Sequence, residues 1–111
     1  MIDINVSHQD HVTLIEVAGR IDSMNAHELG DVLSDQIDDE RVQMVLDLSG
    51  VDYMSSAGLR EIVSALKGVR RKNGDLRLTQ PSDRVREVLE MAGLDTIFQI
   101  FSTQVEAVGS Y

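Results

Sequence analysis

Two adjacent serines, Ser55 and Ser56, are the residues best placed to do chemistry in this chain. They follow Val42, Met44, Val45, Leu46 and Leu48, a near-continuous apolar run of the kind found in a strand covered on both faces. They precede Leu59, Ile62, Val63, Leu66 and Val69, which recur at helical spacing and predict a helix packed by one face on a sheet. Ser56 therefore falls at or next to a helix N-cap. Two roles suit that place. A serine there can accept a backbone N–H from the first helical turn, which is purely structural. The free N–H groups and the positive end of the helix dipole also favour an added phosphate, so a kinase could modify Ser56 without breaking the fold.

Hydrolytic chemistry is harder to build. Ser56 with His27 or Asp22 would need a base within hydrogen-bond reach and a third group to orient that base. No histidine lies at a predicted strand end near Ser56, and neither a Gly-x-Ser-x-Gly elbow nor a Gly-x-x-x-x-Gly-Lys-Ser/Thr phosphate loop occurs. Asp38 and Asp39 sit in a charged connection where carboxylates stay solvated. His8 and His11 flank a predicted turn with no ligand set of tetrahedral spacing around them, so no metal or other cofactor is expected. The chain reads as a non-enzyme.

The elements that must position the serines follow from periodicity and turn chemistry. Residues 2–6 and 11–17 alternate largely between apolar and polar, with turn residues at 7–10, and predict an antiparallel hairpin. Gly19-Arg20-Ile21-Asp22 ends the second strand. A helix is expected from about Asn25 to Ile37, its start marked by a capping box of Asn25 and Glu28. Strand, helix, strand then implies a parallel pair with a right-handed crossover, and Asp22, at a strand end, is then either a plain loop or cap residue or part of a rim surface shared with Ser56. Asn73 and Gly74 stop the helix after the serines, residues 75–79 alternate as a strand, Ser82 caps a third helix, residues 97–101 suit a last strand, and residues 102–108 add a terminal helical turn or two. The predicted architecture is α/β: one domain over residues 1–111, with a mixed five-stranded sheet that opens as an antiparallel hairpin, continues as βαβ units and is packed by about four helices.

Composition narrows the partners. The 111 residues carry 42% hydrophobic side chains, one proline and no cysteine, which fits a single folded core and excludes disulfides and thiolate chemistry. A formal net charge of −9 disfavours phosphate backbones and anionic lipid, so a protein partner is expected, with no nucleic acid and no membrane. The basic run of Lys67, Arg70, Arg71 and Lys72 reads as the end of a helix, where cations offset the dipole. Without a spanning apolar stretch or a signal-peptide pattern, the expected location is cytoplasmic.

The stretch Asp47-Leu48-Ser49-Gly50-Val51-Asp52-Tyr53-Met54-Ser55-Ser56-Ala57-Gly58-Leu59 resembles the signature of STAS domains, specifically the stand-alone bacterial anti-sigma factor antagonists. Gly19-Arg20-Ile21-Asp22 is similar to the family's Gly-Glu-Leu-Asp at the end of its second strand, and the element order fits along the whole chain. The resemblance implies a phosphorylation-switched binding module. Its phosphoacceptor falls on Ser56, with Ser55 as the alternative, and its docking surface on Asp22, Tyr53, Met54, Ser55, Gly58, Arg60 and Glu61. The implied partners are an anti-sigma factor that is also a serine kinase of the histidine-kinase-like ATPase fold, and a metal-dependent serine phosphatase that resets the switch. The chain departs from the pattern at Ser55, where many antagonists carry Asp, and at Ala57, where they carry a small hydroxyl residue. Those departures leave a rival: a STAS module that binds constitutively, without phosphorylation. A partner switch acting on an output other than a sigma factor is the third possibility.

Overall fold

The computed structural model describes residues 2–111. Among these, five strands form one sheet in the order β1-β2-β3-β4-β5. β1 (Ile2–Gln9) and β2 (Val12–Ile21) pair antiparallel, and β3 (Gln43–Met54), β4 (Asp75–Thr79) and β5 (Ile100–Phe101) add in parallel. The connections α1 (Ala26–Asp38), α2 (Ser56–Arg71) and α3 (Asp83–Met91) lie on one face, because consecutive parallel neighbours joined by right-handed crossovers keep their helices on the same side. Leu29, Leu33, Ile62, Leu66, Val69, Val85 and Leu89 from these helices meet Ile15, Val17, Met44, Leu46, Leu48, Leu76 and Leu78 of the sheet in one buried core. α4 (Gln104–Gly109) covers part of the opposite face, where Ala107 packs with Val12, Leu14 and Val45.

The α/β architecture and the mixed five-stranded sheet follow the expectation; several boundaries move. β1 extends to Gln9, and Asp10, at φ 58°, makes the turn with His11, so the turn is shorter than the expected residues 7–10. The last strand shrinks to Ile100–Phe101, because Leu94–Thr96 forms a 3₁₀ turn and buries Phe98 instead.

The largest change is in β3, which runs on to Met54, well past the apolar run that ends at Leu48. Opposite Glu16 and Ala18 of β2 stand Asp47 and Gly50, and opposite Gly19 and Arg20 stand Val51 and Tyr53. β3 therefore bulges twice, holding one extra residue each time. Each bulge reverses the alternation of side chains. Leu48, Val51 and Met54 can thus all face the core at a spacing of three, a pattern that a period of two does not reveal. Gly50 fits one bulge because a Cβ there would come within 2.8 Å of the Ala18 Cβ.

The C-terminal segment ties the sheet together from its second face. The Tyr111 hydroxyl accepts the Met44 N–H at 3.1 Å and lies 2.6 and 2.7 Å from the carbonyls of Met44 and Asp75. The Arg77 guanidinium sits 4.0 Å over its ring. Gln104 Nε2 donates to Glu16 at 3.0 Å and also to Asp47.

Candidate docking and phosphoacceptor site

The bulged end of β3 delivers the serine pair to the rim where β2 also ends. Arg20 pairs in register with Tyr53 and Ile21 with Met54, and the Ser55 N–H donates to the Ile21 carbonyl at 2.9 Å. Ser55 is the N-cap of α2. Its backbone is extended and its Oγ accepts the Gly58 N–H at 3.4 Å. Ser56 is the first helical residue, and its side chain is exposed. The structural cap thus falls on Ser55, which leaves the Ser56 hydroxyl at the surface beside the helix N-terminus.

Asp22 is half-buried on the same rim. Its Oδ1 accepts the N–H groups of Met24 at 2.9 Å and Asn25 at 3.3 Å, which folds the β2–α1 loop back on itself. Its other oxygen is 3.9 Å from Arg20 Nε, and the Arg20 guanidinium stacks 3.9 Å over the Tyr53 ring. Asp22, Arg20 and Tyr53 thus form one continuous polar and aromatic surface beside the serines. The expected capping box does not form. Asn25, only 6% exposed, turns back to β2 instead, accepting the Asp22 N–H at 2.9 Å and donating to the Arg20 carbonyl at 2.8 Å. That side chain fixes the loop rather than the first turn of α1.

Two of the residues assigned to the docking surface are internal. Met54 is 2% exposed and packs in the core. Gly58 is buried, and a Cβ there would stand 2.8 Å from Ile21 Cγ2 and 2.9 Å from Met54 Cγ. Both shape the surface from beneath and neither can contact a partner. Arg60 is exposed one turn beyond Ser56, while Glu61 is half-buried with its carboxylate resting over Gly30 of α1. Sequence reasoning missed the neighbouring groove of about 660 Å³ between α2 and the end of α3, lined by Ser56, Leu59, Arg60, Val63, Ala92 and Leu94. The exposed Met24, 82% accessible in the Asp22 loop, was also missed. A lone methionine in a polar loop carries no periodic signal.

His27 is exposed on α1, and among the described residues no three His, Cys, Asp or Glu side chains converge as a metal site would require. Among the described residues no helix is long and apolar enough to cross a membrane.

Comparison with known proteins gives this arrangement a family. The STAS domain profile matches residues 3–107. The anti-sigma-B factor antagonist of Listeria monocytogenes is 33% identical over 109 residues, covering 98% of this chain and 95% of that protein. Its counterpart in Staphylococcus aureus is 29% identical over 95% of this chain and 98% of that one. Among solved structures, an anti-sigma factor antagonist from Mycobacterium paratuberculosis superposes with a TM-score of 0.91 at 24% identity, covering 99% of this chain and 93% of that one. The Bacillus cell-fate determinant SpoIIAA, solved in its phosphorylated form, superposes at 0.78 with 17% identity over 97% and 98% of the two chains. Both structures share the fold. The chain belongs to the STAS domain family, and it is a regulatory binding protein rather than an enzyme.

Proposed function

We propose that this chain is a cytoplasmic anti-sigma factor antagonist whose docking is switched by phosphate on Ser56. The observation that carries this reading is the division of labour in the serine pair. Because Ser55 caps α2, Ser56 Oγ is exposed and can accept a phosphoryl group without removing a structural hydrogen bond. The relatives named anti-sigma-B factor antagonists support the output.

In the unmodified state the rim of Asp22, Arg20 and Tyr53, together with Ser56, Arg60 and the exposed part of Glu61, docks on an anti-sigma factor that is also a serine kinase. That kinase moves the γ-phosphoryl of ATP to Ser56 Oγ, releasing ADP and the hydroxyl proton. The phosphate adds about −1.5 to −2 charges at neutral pH, and the dipole of α2 holds them with little refolding. At the centre of an interface such a charge must be paired or stay wet, and leaving it buried and unpaired costs about 2–5 kcal/mol. The complex therefore releases. A metal-dependent serine phosphatase restores the docking state.

Titration of the purified chain against the host's anti-sigma factor kinases tests this. Ser56→Ala is expected to bind as the unmodified chain does, and Ser56→Glu at least about tenfold more weakly, the equivalent of about 1.4 kcal/mol. Equal binding by both variants would overturn the switch.

A further inference from the structure

The chain holds 10 Lys and Arg against 19 Asp and Glu, so carboxylates are in excess. Even so, among the described residues only five of the Lys and Arg side chains, Arg20, Arg41, Arg70, Lys72 and Arg77, approach a carboxylate, at 2.9–3.9 Å. Three of the others, Arg60, Lys67 and Arg71, lie on the exposed side of α2. Counting from Ser56, they fall four, eleven and fifteen residues on, with exposed Ser64 eight residues on. At about 100° per residue these positions stay within about 80° of one another, and they span about 22 Å along the helix.

The result is one cationic stripe that begins at Ser56. Glu61, the only acidic residue of α2, borders the groove beside the stripe but rests its carboxylate over Gly30. Asp31, which shares the α1–α2 groove with Arg71, is more than 4.0 Å from its guanidinium. The helix dipole accounts for a cation in the last turn, at Arg71; Arg60 and Lys67 lie too far from that end for it to favour them. Immediately beside the stripe, the groove of Leu59, Val63 and Leu94 leaves apolar surface uncovered.

We propose that this stripe docks an acidic segment of the partner kinase, laid along α2 from Ser56 to Arg71 with its apolar side chains in the Leu59–Val63–Leu94 groove. This rests on the partner-switch reading above and adds the chemistry of the partner's surface. Cations left unpaired on an otherwise acidic protein are complementary to a negative surface, and the remainder of the chain repels the same segment, which fixes where it lands. A polyanion such as a membrane or nucleic acid would meet the net charge of −9 at every other approach, so a short acidic protein segment is the better occupant. The stripe also gives the phosphate a local target. On Ser56 it stands one helical turn before Arg60, where it takes up that cation and opposes the acidic segment directly.

The test uses the full chain and each purified anti-sigma factor kinase of its host, with affinity measured at about 50 and about 300 mM salt, conditions that separate screened from unscreened charge. Lys67→Glu with Arg71→Glu is expected to weaken binding at least about tenfold at low salt and to flatten the salt dependence, and the neutral Lys67→Gln with Arg71→Gln to fall between. Thermal melting of each variant checks that these exposed substitutions leave the fold intact. If both double variants bind as the unmodified chain does while Ser56→Glu is weakened, the stripe proposal fails and the switch stands. If no kinase binds the unmodified chain or Ser56→Ala, both fail. Binding to vesicles of phosphatidylglycerol that the double reversal abolishes would assign the stripe to a membrane and overturn the proposal.

Discussion

Ser55 Oγ accepts the backbone N–H of Gly58 across 3.4 Å, so the first of the two serines is the cap of α2 and the second is left free. Replacing an N-cap serine by alanine costs about 0.5–2 kcal/mol. Ser55→Ala should therefore lower the urea midpoint by that equivalent, and Ser56→Ala should stay within about 0.5 kcal/mol of the parent, as an exposed position without a partner does. Urea denaturation of the two variants side by side checks the assignment. A larger loss in Ser56→Ala would reverse it.

Gly58 is required by close packing. Its helix start is pressed against Ile21 and Met54, with only 2.8 and 2.9 Å available to an added Cβ. Gly58→Ala should cost about 1–3 kcal/mol through overpacking, even though alanine is the better helix former. The same substitution should weaken kinase binding by lifting the Ser56 end of α2 away from the rim. Denaturation and titration of one sample measure both effects.

Asn25 joins Asp22 to the end of β2 by two hydrogen bonds while 6% exposed. Asn25→Ala leaves the Asp22 N–H and the Arg20 carbonyl without these partners, at a cost of about 1–3 kcal/mol. Because that side chain fixes the Asp22 loop, amide exchange at Ser23 and Met24 should rise far more than exchange within α1. Uniform acceleration across both would mean that Asn25 acts on the helix start instead.

Tyr111 carries a pronounced pH dependence. Burial, followed by the Asp75 carboxylate, pushes its phenol well above the ordinary value, and Arg77 and the Met44 bond only partly offset them. The folded chain thus holds this proton more tightly than the unfolded chain does. The stability it contributes is complete below about pH 10 and declines as the pH rises above that value. Tyr111→Phe should cost about 1–3 kcal/mol at neutral pH, where the hydroxyl bonds to β3 and β4 are lost. It should also show a shallower alkaline decline between about pH 9 and pH 11. Urea midpoints of both proteins across that range check the sign.

Where hydrophobic spacing kept one period, the sequence was readable: β4 lies where residues 75–79 alternate, and Ser82 caps α3 as its position suggests. It failed where the backbone changed period or the side chain changed partner. The double bulge hid the end of β3 by restoring Leu48, Val51 and Met54 to the core out of phase. Asn25 and Glu28 have the spacing of a capping box, but the nearby Arg20 carbonyl and Asp22 N–H offered Asn25 better-buried partners. At the site, local chemistry brought the serines to a helix start but could not tell which of the two is the cap, since a one-residue shift in the helix exchanges them. Met54 and Gly58 lie within a functional-looking motif yet serve packing, a distinction that only burial reveals.

Switched docking requires that Ser56 be the residue modified. Intact and tandem mass spectrometry of the chain purified from its host, in growth and under stress, tests it most directly. The expected result is a fraction heavier by one phosphate, assigned to Ser56 and changing with condition. An unmodified Ser55-Ser56 pair in every condition, or phosphate confined to Ser55, would contradict it and favour a module that binds constitutively or a switch built on the capping residue.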